Sequence, residues 1–360
     1  MRLVLAGTVL LLAGCASSTI ETPAPPAVPA VPAPPPAQVS TLPGPESLPG
    51  WADEDHLAAF QAYADTCRVA RDAMSARQCE RAIDIRRTSR PVTPSMARAF
   101  FETGFAVVEA QPAEGRSPLL TAYFAPEYEA RRSPDREFDT PVLGRPDGWS
   151  RGQVLEERSA IEAGPPLTPP LAWMRAEDLF FLQIQGSGYL TFEDGSEVRA
   201  AYAADNGRPF VGIARPMAER GLLPTNGTSG EAIRAWLAAH RGPEARAVTA
   251  LNPRYIFFSL DPDDGGDPAG AAGVPLPARR AIAVDPASWT YGDLVWISAG
   301  AGNLTGARHG YTGLVMALDT GSAIRGPVRA DLYMGRGDAA GLEAGAVRHP
   351  LRMWRLIPRP

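Results

Sequence analysis

Short apolar segments, separated by Gly, Pro and Asp, make up most of the second half of the chain and predict a mainly β protein. Segments of this length between turn residues are typical of strands, and many short strands in a chain of this size indicate barrels. The predicted strands cover residues 119–126, 179–192, 254–260, 280–286, 293–298, 312–319, 328–335 and 351–358.

Apolar residues at helical spacing predict a few helices among these strands. One helix is predicted between about Asp53 and Met74, and a second begins at Thr93-Pro94, where the proline takes the first helical position. A capping box in the segment TSGE, residues 228–231, predicts a third helix, which Gly242-Pro243 ends. The apolar faces consist of Leu57, Phe60 and Tyr63; Ala97, Phe100, Phe101 and Phe105; and Ile233, Trp236 and Leu237.

The N-terminus has the pattern of a lipoprotein signal peptide. The apolar run Leu3–Leu12 is too short to span a bilayer, and it ends in the segment LAGC with Cys15 last. We therefore expect residues 1–14 to be removed and Cys15 to be lipidated; the alternative is an ordinary signal peptide with a chance cysteine. Ala16 follows the cysteine, which favours the periplasmic face of the outer membrane in a Gram-negative cell.

Residues 15–47 have the composition of a tether. The segment 21–45 is rich in Pro and Ala, so it cannot bury a core and should be extended polyproline II. At about 3.1 Å per residue, such a segment reaches roughly 75 Å. We therefore expect the folded part of the chain, anchored by this tether, to reach a distance of that order from its membrane.

The charged residues exclude several chemistries. All 35 basic residues are arginine, so Schiff-base and lysine-nucleophile reactions are excluded. The net charge of −5 and the lack of a basic block argue against a nucleic-acid partner. The four histidines are scattered without metal-ligand spacing, so we expect neither a metal nor another cofactor.

Two cysteines remain beyond the lipidation site, Cys67 and Cys79. The expected compartment is oxidising, which favours a disulfide between them. The alternative is a pair of buried free thiols.

Residues 318–337, with the sequence LDTGSAIRGPVRADLYMGRG, contain two carboxylates on the flanks of a glycine-bearing turn. Asp319 ends one predicted strand and Asp331 lies within the next, while Asp285 follows an earlier strand. In its strand Asp331 alternates with apolar residues and shares a face with Arg329 and Tyr333. A strand holds a side chain rigidly, as a catalytic acid requires. The alternative for both carboxylates is a solvated turn.

This triple-aspartate pattern resembles the 3D domain of the MltA family, the membrane-bound lytic murein transglycosylases. Further segments match that family in order: LTAYFAP (120–126), QGSGY (185–189) with DG (194–195), and Tyr202 with NG (206–207). The segments NP (252–253) and FF (257–258) follow. The resemblance covers roughly residues 95–358. Arg325 departs from it, since lysine is expected there.

The resemblance implies a double-psi β-barrel domain, a second inserted β-domain, a few N-terminal helices and a deep groove between the two domains. The expected boundaries follow from it. They are residues 48–126 for the helices and first part of the barrel domain, 127–245 for the insert, and 246–360 for the C-terminal 3D part of the barrel domain.

The resemblance also implies the roles of the site residues. It places the catalytic aspartate at Asp331, with Asp319 as its neighbour. The implied substrate-binding residues are Thr121, Tyr123, Gln185, Gly186, Ser187, Gly188, Tyr189, Tyr202 and Asp285. For several of them a structural role remains open. The glycines could relieve crowding in a strand, the tyrosines could be core aromatics, and Asp285 could cap a turn.

The expected function is cleavage of the β-1,4 bond between N-acetylmuramic acid and N-acetylglucosamine, with formation of 1,6-anhydromuramoyl ends. One aspartate would act as acid and then as base, and the enzyme would be a carbon–oxygen lyase. Two alternatives remain: a β-glycan hydrolase that uses the Asp pair with water, or a non-catalytic peptidoglycan-binding lipoprotein. The expected partners are peptidoglycan strands, the membrane through the N-terminal lipid, and other cell-wall enzymes.

Overall fold

The computed structural model describes residues 42–224, 229–304 and 306–360. The signal peptide, Cys15 and most of the predicted tether lie outside the described residues, as does Thr228 of the predicted capping box. None of the helices in the described ranges is long and apolar enough to cross a membrane.

Three helices near the N-terminus pack together: α1 (His56–Thr66), α2 (Ala73–Thr88) and α3 (Pro94–Gly104). The single helix predicted over residues 53–74 was wrong in extent, because α1 ends at Thr66 and a 3₁₀ turn follows. Asp72 then caps α2, accepting hydrogen bonds from the backbone N–H groups of Met74 and Ser75. Sequence periodicity missed α2, because most of its surface is polar.

A disulfide joins Cys67, just after α1, to Cys79 in α2, with the two Cα atoms 5.4 Å apart. Next to it, α1 and α3 bury an aromatic cluster. The rings of Phe60 and Phe100 pack edge to face with centroids 5.2 Å apart. Burying side chains of this size stabilises the fold by about 1.5–3 kcal/mol each, which fixes the helices against the sheet.

The strands form sheets of eight, four and two members. The largest has the order β1-β14-β10-β11-β9-β12-β2-β13, with the bounds β1 Phe105–Glu109, β2 Leu119–Ala125, β9 Ala281–Ala283, β10 Leu294–Ala299, β11 Tyr311–Asp319, β12 Arg329–Arg336, β13 Arg348–His349 and β14 Leu351–Pro358. Helix α9 (Asp338–Gly345) contacts β2 and β12.

The four-stranded sheet has the order β3-β6-β7-β8, with the bounds β3 Glu127–Glu129, β6 Gly188–Thr191, β7 Glu197–Asp205 and β8 Ile256–Pro262. Strands β4 (Thr140–Leu143) and β5 (Pro170–Met174) pair separately. Five helices accompany these strands: α4 Arg158–Ala163, α5 Ala176–Gln185, α6 Ala214–Glu219, α7 Gly230–Ala239 and α8 Pro243–Thr249. Strand β8 follows the expected insert boundary at residue 245 and still pairs with β7.

The prediction of a strand over residues 179–192 was wrong in its first half, which is helix α5. Its side chains enter two separate cores: Leu179 and Leu182 pack in one, and Phe180 packs in the other. A helix that is buried on two sides shows no polar stripe, so its sequence resembles a buried strand. The coarser prediction, mainly β with a few helices, is confirmed.

Candidate active site

The eight-stranded sheet brings Asp319 and Asp331 to one face. Strand β9 lies between β11 and β12, and its residue Ala283 pairs with Asp319 on one side and with Asp331 on the other. Residues that pair in register project from the same face of a sheet. With about 4.8 Å between neighbouring strands, the Cα atoms of the two aspartates are roughly 10 Å apart.

Asp331 accepts a hydrogen bond from the hydroxyl of Thr121, its register partner on β2. This bond reaches Oδ1, and it is the one hydrogen bond that the carboxyl group of Asp331 makes within the described ranges. The residue is partly exposed, and its Oδ2 makes no hydrogen bond to the residues that the structure describes. On the opposite face of β12, Ala330, Leu332 and Met334 are buried in a core cluster, as their alternation in the sequence predicts.

Burial raises the pKa of Asp331 above the ordinary range of an aspartate. The hydrogen bond from Thr121 and the charge of Arg329 oppose this effect, while the nearby charge of Asp319 adds to it. Desolvation outweighs the two opposing interactions. The environment therefore shifts the titration of Asp331 upward, towards the protonated form that a general acid needs.

Asp319 has its hydrogen-bonding capacity largely filled by the protein. Its Oδ1 accepts the backbone N–H groups of Ala271 and Thr320, each at 2.9 Å, and its Oδ2 accepts the hydroxyl of Tyr123 at 2.7 Å. Burial raises the pKa of Asp319 as well, against the effect of these three donors. The contrast with Asp331 is therefore in free hydrogen-bonding capacity, because three protein donors contact Asp319 and one contacts Asp331.

Tyr123 connects Asp319 to a second acidic side chain through an aromatic contact. Its ring packs against Tyr333 with centroids 5.3 Å apart, and the Tyr333 hydroxyl donates to Asp267 at 2.9 Å. Desolvation raises the pKa of Asp267. Tyr123 and Tyr333 pair in register between β2 and β12, so both lie on the face that carries Thr121 and Asp331.

Asp285 lies at a turn and is buried. It accepts hydrogen bonds from the backbone N–H groups of Gly326, at 2.7 Å, and Ala287, at 3.1 Å, and the guanidinium of Arg325 approaches to 3.5 Å. Burial alone would raise the pKa of Asp285, but these interactions hold it below the ordinary range. The arrangement favours a structural role, in which Asp285 fixes the turn between β11 and β12.

The QGSGY segment joins the end of α5 to β6. Gly186 ends the helix in a left-handed conformation with φ +86°, and a Cβ on Gly188 would lie 2.7 Å from the Pro126 carbonyl oxygen. Gln185 accepts the backbone N–H of Phe124 at 3.2 Å. The local backbone therefore explains why glycine occupies positions 186 and 188. Ser187, between them, is partly exposed.

The remaining two tyrosines make no hydrogen bond to either aspartate of the pair within the described ranges. Tyr189 is buried beneath the guanidinium of Arg336 and donates to the Gly266 carbonyl at 2.5 Å. This burial favours a packing role over a contact with sugar. Tyr202 is 44% exposed on the four-stranded sheet and donates to Asp205 at 2.5 Å.

Two arginines on the same face of the sheet were given no role by the sequence. Arg329 lies two residues before Asp331 and donates to the Thr121 hydroxyl at 2.9 Å. Arg348, on β13, pairs in register with Thr121 from its other side. The alternation of β12 placed Arg329 beside Asp331, but no local pattern places Arg348 there.

Within the described ranges, no cluster of three or more His, Cys, Asp and Glu side chains is arranged to hold a metal ion. One cavity lies among α4, α5, α7 and α8, and its lining includes Arg158, Glu177, Phe180 and Tyr255. Neither aspartate of the pair contributes to that lining.

The sequence and fold match known proteins along most of the described chain. Residues 119–259 match the family model of the MltA specific insert domain, and residues 280–357 match that of the 3D domain. A curated relative from Vibrio cholerae, "Membrane-bound lytic murein transglycosylase A", is 33% identical over 66% of this chain. The match spans 65% of that relative's own length.

Solved structures match a larger share of the chain than the curated relative does. A membrane-bound lytic murein transglycosylase from Agrobacterium tumefaciens is 32% identical with a TM-score of 0.72, covering 88% of this chain and 97% of that one. MltA from Escherichia coli with bound chitohexaose is 26% identical with a TM-score of 0.68, covering 85% and 90% of the two chains.

Proposed function

The chain belongs to the MltA family, and we propose that it is a lytic murein transglycosylase that cleaves peptidoglycan between N-acetylmuramic acid and N-acetylglucosamine. The observation that best supports this proposal is the pairing of Asp331 with Thr121. It leaves one carboxyl oxygen available to a ligand in surroundings that raise the pKa of the acid. A relative named for this activity at 33% identity supports the substrate class.

In the first step, protonated Asp331 gives its proton from Oδ2 to the glycosidic oxygen. Because Oδ1 accepts the Thr121 hydroxyl, the acidic proton is expected on the oxygen that faces the ligand. The bond between that glycosidic oxygen and C1 of the muramoyl residue then breaks, and the N-acetylglucosamine portion leaves with the proton as an alcohol. Positive charge develops at C1, and Asp331 becomes a carboxylate.

In the second step, the same carboxylate accepts the proton of the muramoyl C6 hydroxyl, whose oxygen attacks C1. The new C1–O6 bond closes a 1,6-anhydro ring, and Asp331 is protonated again. No water is consumed. A hydroxyl group of the same sugar reacts at high effective concentration, so a single carboxyl group is sufficient.

We assign Asp319 an electrostatic role in this reaction. Its three donors leave little capacity to bind or protonate a substrate. Its charge raises the pKa of Asp331, and as a carboxylate it would stabilise the positive charge at C1. An inverting hydrolase would need a second carboxyl group free to activate water, which this arrangement does not favour.

We place the glycan strand across the face that carries Asp331, Thr121 and Tyr123. The complex of a family member with chitohexaose supports binding of a glycan chain. Within the QGSGY segment, Ser187 is the side chain that we expect to contact sugar. Gln185, Gly186 and Gly188 would shape the backbone there, and Asp285 and Tyr189 would support the site indirectly.

The finer architecture and location are part of the proposal. We propose that the eight-stranded sheet forms a double-psi barrel that residues 127–245 interrupt as an inserted domain. We also propose that Cys15 carries the lipid anchor at the outer membrane. The names of the relatives as membrane-bound enzymes agree with such an anchor.

Mass spectrometry of the fragments released from purified peptidoglycan tests the function. The expected products are muropeptides with 1,6-anhydromuramoyl ends. Free reducing ends would instead indicate a hydrolase. Retention on the sacculi without release of fragments would indicate a binding protein.

A further inference from the structure

Thr121 has a charged register partner on each side. Asp331 pairs with it from β12, and Arg348 pairs with it from β13. The three side chains therefore share one face of the sheet, with the Cα atoms of Asp331 and Arg348 about 10 Å apart at two strand spacings. Arg348 is exposed, so its guanidinium is available on the same face as the proposed acid.

A second guanidinium lies between them. Arg329 donates to the Thr121 hydroxyl at 2.9 Å and to the backbone carbonyl groups of Ala330 and Leu119. These bonds hold Arg329 in place, half-buried at the base of the site. Burial lowers the pKa of Arg329, the charge of Asp331 raises it, and the charge of Arg348 lowers it to a smaller degree, so Arg329 has both Asp331 and Arg348 as charged neighbours.

Neither arginine has a carboxylate oxygen within 4.0 Å among the residues that the structure describes, whereas many other arginines here do. Arg336, for example, contacts Glu127, Asp263 and Glu197. The charge of Asp331 raises the pKa of Arg329, but its carboxyl oxygens lie beyond ion-pair distance of both guanidinium groups. Two neighbouring positive charges without a carboxylate partner beside a proposed sugar site favour an anionic group on the sugar.

We propose that Arg348, supported by Arg329, binds a carboxylate on the 3-O substituent of the muramoyl residue and thereby makes the site selective for murein over neutral glycans. This inference rests on the proposed function. A muramoyl residue differs from N-acetylglucosamine by a lactyl group at O3. In stem-free glycan the lactyl carboxylate is free, whereas in intact murein it is amide-linked to a peptide with carboxylates of its own. Both sources present the same chemistry to a guanidinium.

The test measures binding, using Asp331→Asn protein so that no ligand is cleaved. Three probes are titrated: chitohexaose, which is neutral; stem-free murein oligosaccharides; and stem-bearing oligosaccharides. Arg348→Gln is compared with Arg352→Gln, a matched control in which an exposed arginine that pairs with Glu109 at 2.9 Å is changed. Loss of a charge-assisted bond should weaken binding of murein oligosaccharides about tenfold. Chitohexaose should bind equally to all the proteins, and Arg348→Lys should restore part of the loss.

Comparison of the three probes identifies the source of the carboxylate and tests the inference. Weakening confined to stem-free ligand identifies the lactyl carboxylate, and weakening confined to stem-bearing ligand identifies the peptide. Equal weakening for chitohexaose, or unchanged binding of both murein probes, would overturn the inference. Turnover of sacculi by the unmodified protein is measured separately. If it releases no fragments, the proposed activity fails, while the binding comparison still decides the role of Arg348.

Discussion

Asp319 and Asp331 pair with the same residue, Ala283, from opposite sides of the three-residue strand β9. The pairing fixes the two carboxyl groups on one face at a separation that permits mutual repulsion. Their hydrogen bonds then differentiate them, since Asp319 accepts three protein donors and Asp331 accepts one. This difference is the basis for the proposed roles, in which Asp319 tunes the site and Asp331 exchanges a proton.

Replacing Asp331 with Asn should abolish peptidoglycan cleavage and leave the fold and glycan binding intact. General acid–base catalysis contributes about 10²- to 10⁴-fold, and one group would perform both proton transfers, so the loss should reach the upper end. Asp319→Asn should reduce the rate of cleavage less, because this substitution removes a charge and leaves the proton-exchanging group in place. Release of muropeptides from sacculi is measured with matched circular dichroism. Substantial turnover by Asp331→Asn together with inactive Asp319→Asn would reverse the two roles.

Substitution of Thr121 should change the pH dependence of cleavage. In the proposed mechanism cleavage begins with protonated Asp331, so kcat/KM should fall as pH rises through the raised pKa of this group. The Thr121 hydroxyl stabilises the ionised carboxyl group, so Thr121→Val should raise that pKa further. The alkaline limb should then move up by about one pH unit, while Thr121→Ser should leave it in place. A pH–rate profile that is identical in all three proteins would contradict this assignment.

The proposed acid should also reduce stability at neutral pH. Because its folded-state pKa is raised, the stabilising effect of protonated Asp331 is complete below the unfolded-state pKa and is lost as pH rises through the folded-state pKa. Asp331→Asn stays neutral, so at pH 7–8 it should unfold at a higher temperature than the unmodified protein. Each unit of pKa difference between the two states corresponds to about 1.4 kcal/mol. Thermal unfolding at pH 3 should show no such gain, and an equal gain at both pH values would argue against ionisation as its cause.

The bond between Cys67 and Cys79 should stabilise the helical region next to the sheet. It closes a loop with a sequence separation of 12 residues, for which the chain-entropy model gives about 3 kcal/mol. The double variant Cys67→Ser/Cys79→Ser should therefore lower the free energy of unfolding by an amount of that order. Thiol labelling of unreduced, denatured protein should find neither cysteine reactive, and two labelled thiols would contradict the pairing.

Cys15 should be required for membrane attachment. Cys15→Ser removes the nucleophilic sulfur to which lipid is added, so the precursor should remain uncleaved and unlipidated. Membrane fractionation and intact-mass measurement compare this variant with Cys67→Ser, which retains Cys15. Maturation and membrane retention of Cys15→Ser would show that the anchor assignment is wrong.

The alternation along residues 328–335 was sufficient to predict strand β12 and the face on which Asp331 lies, because strand periodicity is a local property. The local pattern failed to predict two helices. Helix α2 was missed because its surface is mostly polar, and α5 was mistaken for a strand because both of its sides are buried.

The sequence by itself determined the strand-rich composition, the family resemblance and the two candidate carboxylates. It could not determine that Thr121 bonds Asp331 across 210 residues, or that Arg348 reaches the other side of the same threonine. Those contacts depend on the order and register of strands that are distant in the chain, and many long-range pairings are compatible with the same local pattern. The tertiary structure also decided which aspartate keeps free hydrogen-bonding capacity, because two of the three donors to Asp319 come from Ala271 and Tyr123, which are distant from it in the sequence.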